Sequence, residues 1–183
     1  MYKLRAPASS ANMGSGFDSI GIALSLYNYV TFEESDRIVV ECEDDVPRDS
    51  SNLIVDTVRR AYAEAGATFR GLHIIQENNV PMVRGLGSSS TCIAAGVSIA
   101  GKLMGDNLSL HDKVTLAAMI EGHPDNVAPA LLGVSLMDAA IMGAVVGAVS
   151  PAVIVPKMLG LIEEGYGREK SIPQMILAGA SCD

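Results

Sequence analysis

Three observations predict an α+β fold for most of this chain. Short apolar alternations recur before residue 80, capped stretches of helical character lie between and after them, and a Gly/Ser-rich corner at residues 81–91 joins a strand to a helix. Lys3-Leu4-Arg5-Ala6 opens as a strand, and Pro7 to Asp18 reads as a loop rich in Ser, Asn and Gly. Residues 20–32 combine alternation with β-formers and Arg37 to Cys42 repeats the pattern, so both read as strands. Asp49-Ser50-Ser51-Asn52 offers N-caps for a helix from about Leu53 to Ala65, ended by Gly66. Gly71 to Gln76 returns as a strand. Cys92 to Leu103, apolar with small residues, fits a buried helix, and Ser109 to Ile120 a further amphipathic one.

At 183 residues the chain is one ordinary domain or two small ones. With 13 basic against 21 acidic residues it lacks the excess of Lys and Arg that replaces phosphate counterions, which excludes a general nucleic-acid binder. Cys42, Cys92 and Cys182 are scattered and odd in number, so neither a disulfide framework nor a zinc site is indicated, and a reducing, cytoplasmic compartment fits. The basic start has no apolar stretch behind it, against a secretory signal. Only 4% of residues are aromatic while 49% are hydrophobic, a balance that raises the question of membrane contact.

The corner Pro81-Met82-Val83-Arg84-Gly85-Leu86-Gly87-Ser88-Ser89-Ser90-Thr91 carries the most chemistry. Gly85 and Gly87 let the backbone approach an anion and visit positive φ. The serines offer an N-cap and free N–H groups at the positive end of a helix dipole, which alone stabilises an anion by roughly 0.3–1 kcal/mol. No Lys follows the second glycine, so this is not the Walker-type loop, and magnesium is the natural source of the missing positive charge. The alternative is a Gly/Ser turn capping an ordinary helix.

Two more segments concentrate polar groups. Residues 7–18 hold Asn12, Asp18 and three hydroxyls between apolar strands, where a plain connection needs about 2–6 residues. Asp18 suits a substrate ammonium or hydroxyl, or else an N-cap or Asx-turn. Residues 121–130, Glu-Gly-His-Pro-Asp-Asn-Val-Ala-Pro-Ala, place two acids, an imidazole and an amide within six positions. Glu121 offers the hard oxygen that magnesium prefers. His123 is either a turn histidine or a site residue, and Asp125 can cap the next helix.

Together these motifs resemble homoserine kinase, a member of the GHMP small-molecule kinase superfamily. The resemblance spans residues 1–133 and implies the N-terminal half of a GHMP-kinase-like fold (ribosomal protein S5 domain 2-like) that binds ATP and phosphorylates the homoserine side-chain hydroxyl. By resemblance, Arg84, Gly85, Leu86, Gly87, Ser88, Ser89 and Ser90 hold the ATP phosphates, and Ser89 and Glu121 bind Mg2+. It also implies that Asn12, Asp18, His123 and Asn126 line the amino-acid pocket, with Asn12 and Asp18 in catalytic roles and Asp18 mainly orienting the acceptor.

After residue 133 the pattern changes. Ala139 to Pro156 is 18 residues without a charge, rich in Gly, Ala, Ser, Val and Ile. It reads as a helical tail, either buried in a soluble protein or spanning a bilayer. Residues 134–183 resemble a fragment of a bacterial sodium/proton antiporter, with Ser150-Pro151 like a broken transporter helix and Asp183 like the first acid of an ion-binding pair. The chain therefore reads as chimeric and truncated, with a junction near Gly133. The expectation is a kinase impaired by its missing C-terminal domain, or else a non-catalytic binding protein built from the two fragments. The apolar tail would then offer a surface for a homodimer or a protein partner, or for a membrane.

Overall fold

The computed structural model describes residues 1–11 and 21–137, with side chains as far as residue 134. Asn12, Asp18 and the apolar segment beyond Met137 lie outside the described residues. A five-stranded sheet is built from β1 (Tyr2–Ala11), β2 (Gly21–Glu34), β3 (Ile38–Cys42), β4 (Leu72–Glu77) and β5 (Ser135–Met137), in the order β3-β4-β2-β1-β5. The pair β3 and β4 is parallel, and its crossover carries helix α1 (Leu53–Glu64); the other pairs are antiparallel. Helices α2 (Ser88–Leu103), α3 (Leu110–Glu121) and α4 (Val127–Leu132) fall between β4 and β5.

The strand period of two decides which face the core covers. Leu4 and Ala6 of β1, Val30 and Phe32 of β2 and Leu72 and Ile74 of β4 are buried with α1 and α2. Their alternates Lys3 and Glu77 pair at 2.7 Å. α2 is the central helix: from Ser90 to Gly101 every residue is buried, Cys92 only partly, as expected of a run of small apolar residues. At Gly96 an added Cβ would stand 2.6 Å from Thr57 Cβ, so the two helices touch backbone to side chain.

Strand and helix expectations between residues 20 and 121 hold to within about two residues, except that α2 begins at Ser88, four residues before the expected Cys92. Two others are corrected. The loop expected from Pro7 begins no earlier than Asn12, because β1 runs on to Ala11. The ladder shifts register between Pro7 and Ser9, and the Ser9 N–H leaves it to bond the Leu86 carbonyl at 3.1 Å; a proline with no N–H to give is tolerated at such an irregularity. The helical tail expected from residue 134 starts instead as edge strand β5, paired with Lys3, Leu4 and Arg5. The sheet thus extends past the boundary expected at 133, and the rest of that tail lies outside the described residues. Among the described residues no helix is long and apolar enough to cross a membrane.

Candidate functional site

Beyond β4 the chain turns through three left-handed residues, Val83 (φ 58°), Gly85 (φ 69°) and Gly87 (φ 63°). Val83 is 98% exposed, and holding a β-branched residue there costs of order 1–3 kcal/mol, a strain the turn retains at its rim. Gly87, and not a serine, is the N-cap of α2, and no side chain caps it. Ser88, Ser89 and Ser90 lie inside the first turn, where the helix has no carbonyls of its own for its leading amides. A Cβ at residue 87 would meet Ser9 Oγ at 2.2 Å. Ser9, fully buried, donates its hydroxyl to Asn126 Oδ1 at 3.1 Å, so β1 and the start of α4 brace the turn from beneath.

Across from this turn α3 ends at Glu121, with Gly122 in the left-handed conformation as its C-cap. Ser89 Oγ and Ser90 Oγ donate to Glu121 Oε1 at 3.0 and 2.9 Å. The second oxygen, Oε2, is buried with no hydrogen-bond partner among the described residues. A carboxylate at a helix C-terminus already faces the negative end of the dipole, and an unpaired buried acceptor costs about 1–3 kcal/mol or more when charged. The donor set is hydroxyl oxygens and a carboxylate with one oxygen free, which suits a hard divalent cation such as magnesium. Ser89 and Glu121, the expected metal pair, are thus brought together, and Ser90 joins them.

An open cleft of about 570 Å³ lies over the turn, lined by residues 84–90, Glu121 and Asn126. All seven residues of the expected phosphate loop therefore share one cavity with the carboxylate. His123 does not line it: its ring is half exposed, and its Nδ1 bonds Asp125 Oδ1. Asp125 is buried and also accepts from the Asn126 N–H at 2.9 Å. The opposite wall escaped the sequence reading. Val46, Pro47 and Leu53 give it an apolar surface, and behind them Asn52 caps α1 through Ile54 N while its amide donates to Gln76 Oε1 at 2.8 Å. The N-cap signal at Asn52 was legible; that the parallel pairing of β3 and β4 carries it into the cleft was not. Cys92 completes this wall, and burial pushes its thiol up to about 11, so it stays neutral.

The profile described as the GHMP kinases N terminal domain matches residues 52–134. The homoserine kinase of Caldicellulosiruptor bescii is 43% identical over 137 residues, covering 73% of this chain and 45% of that protein. The homoserine kinase of Bacillus cereus is 44% identical over 164 residues, 87% of this chain and 52% of that protein. The chain spans about half the length of these curated relatives. An alignment over 87% of the chain is longer than residues 1–133, so this likeness runs past the junction expected near Gly133. Among solved structures, one from Listeria monocytogenes described as a homoserine kinase superposes with a TM-score of 0.63 at 30% identity, over 98% of this chain and 71% of that one. The homoserine kinase of Cytophaga hutchinsonii gives 0.64 at 31%, over 76% and 49%. The mevalonate kinase of Methanococcus jannaschii, 14% identical at a TM-score of 0.60, shares the fold alone.

Proposed function

The chain belongs to the GHMP kinase family, and from that membership and the cleft we propose that it supplies the nucleotide-binding half of a homoserine kinase. It takes ATP with magnesium and directs the terminal phosphoryl group to the side-chain hydroxyl of homoserine, in the cytoplasm. One observation carries the reading: the buried, unpartnered Glu121 Oε2 beside Ser89 and Ser90, at the uncapped start of a helix that opens on the cleft.

In this reading the backbone of residues 84–90 receives the phosphates, with the dipole of α2 behind it. The Ser89 hydroxyl and the Glu121 carboxylate hold magnesium, which when bound would neutralise phosphate charge. The apolar wall of Val46, Pro47 and Leu53 takes the flat face of the base. Asn12, Asp18, His123 and Asn126 receive the amino acid, with Asp18 orienting the acceptor hydroxyl. Phosphoryl transfer has a loose transition state, so positioning and charge stabilisation supply most of the rate and a strong general base is optional.

Calorimetric titration of the full chain with a non-hydrolysable ATP analogue, with magnesium and then with EDTA, tests this. Binding should weaken at least tenfold in EDTA, and Glu121→Gln should abolish most of that difference. Equal affinity with and without the metal ends the proposal. A coupled assay for ADP release on adding homoserine then tests the acceptor.

A further inference from the structure

Asn28 lies on β2, outside the cleft, and is 4% exposed in a strand otherwise packed with Val30 and Phe32. A buried carboxamide in an apolar sheet needs partners for all its polar atoms. Its Oδ1 accepts two backbone amides, Asn79 N and Val80 N, each at 2.8 Å. Its Nδ2 donates to Thr91 Oγ1 at 2.9 Å. Thr91 in turn gives its one hydroxyl proton to the Ser88 carbonyl at 2.7 Å. The direction of this relay is forced, because backbone amides only donate: oxygen must face residues 79 and 80, and nitrogen must face the threonine.

Residues 79 and 80 are where the chain leaves β4 for the turn, and Ser88 and Thr91 are where it enters α2. One side chain therefore holds both stems of the segment that carries the left-handed residues 83, 85 and 87. We infer that Asn28 is a positioning residue for the anion-binding turn: it fixes the two stems relative to each other so that the leading amides of α2 face the cleft before any ligand arrives. No other chemistry spans both stems as well. An aspartate keeps the two amides but sets a second acceptor against Thr91, which must then abandon Ser88. An alanine leaves two backbone donors unpaired. Preorganisation of this kind improves binding of the anion, not of the base.

The inference rests on the nucleotide reading for its consequence but not for its geometry, and the experiment separates the two. Amide hydrogen exchange on the full chain without ligand is compared for wild type, Asn28→Ala and Thr91→Val. Asn28→Ala should speed exchange across 79–91 by about tenfold while β4 stays within about twofold. Thr91→Val, the milder change, should loosen 88–91 and leave 79 and 80 protected. In parallel, affinity for the magnesium-loaded ATP analogue should fall about tenfold in Asn28→Ala, with adenosine, which has no phosphates, held within about twofold. Unchanged exchange in 79–91, or loss of adenosine together with the analogue, overturns the inference and leaves Asn28 a structural residue. If wild type binds no analogue, the nucleotide reading falls and the exchange comparison alone decides the role of Asn28.

Discussion

Two helices of this molecule start in opposite ways. α3 begins with Ser109, whose side chain accepts from the Asp112 N–H while the Asp112 carboxylate accepts from the Ser109 N–H and hydroxyl, a reciprocal capping box. α2 begins with Gly87, no side-chain cap, and three serines of which two spend their hydroxyls on Glu121. The α3 start consumes its own donors; the α2 start sends its hydroxyls across to another helix and leaves its amides facing a cleft. A helix with three serines in its first turn has every means to cap itself, so the open start points to an outside partner for those amides.

The comparison breaks most sharply at Gly87. Gly87→Val puts a β-branched side chain at φ 63° and a Cβ 2.2 Å from Ser9 Oγ. Handedness alone costs about 1–2 kcal/mol and the clash adds to it. Calorimetry should register at least a hundredfold loss of analogue affinity, and thermal unfolding a lower Tm. Retained affinity in a folded Gly87→Val chain removes the turn from the site.

Much of this was legible in the sequence, and what was not has physical reasons. Gly85 and Gly87 take positive φ as their type suggests, and Asn52 caps the helix it precedes, because such signals act within a few residues. The serines after Gly87 misled, since a hydroxyl at a helix start looks like a cap until a carboxylate from another helix claims it. Pro7 misled in the same way: proline usually ends a strand, and only the register shift and the bond from Ser9 to Leu86 let β1 continue. The apolar wall, Asn28 and the approach of Glu121 to Ser89 depend on strand order and helix packing, which no local spacing encodes.

An intermediate effect comes from exchanging the two starts as mutations. Ser109→Ala removes the hydroxyl half of the capping box, leaving the backbone N–H on Asp112, and should cost about 1 kcal/mol of stability, read by urea unfolding, while analogue affinity stays within about twofold. Ser89→Ala should do the reverse. It removes no cap and leaves Ser90 on Glu121, so stability should change by less than about 0.5 kcal/mol while the magnesium-dependent part of binding drops severalfold. If both mutations act on stability alone, the two starts are alike and the contrast fails.

The smallest effect is in pH, and it belongs to α3 alone. The Ser109 hydroxyl, and then its backbone N–H, hold the Asp112 carboxyl below its ordinary value of 3.8. A carboxylate whose pKa is depressed on folding stabilises the folded state above its unfolded value and loses that contribution as pH falls through the folded one. Stability should therefore decline from about pH 4 downward by a small increment that is reduced in Ser109→Ala, where only the backbone N–H still holds the carboxylate. The increment is small because Asp112 is solvent-exposed, where water competes for every bond the carboxylate makes. α2 has no acidic residue in its first turn and should add nothing to the slope. Acid unfolding of wild type, Ser109→Ala and Ser89→Ala then checks the contrast without any ligand: the Ser89→Ala curve should keep the wild-type slope, and a slope shared by all three would mean that the cap at α3 contributes no titration of its own.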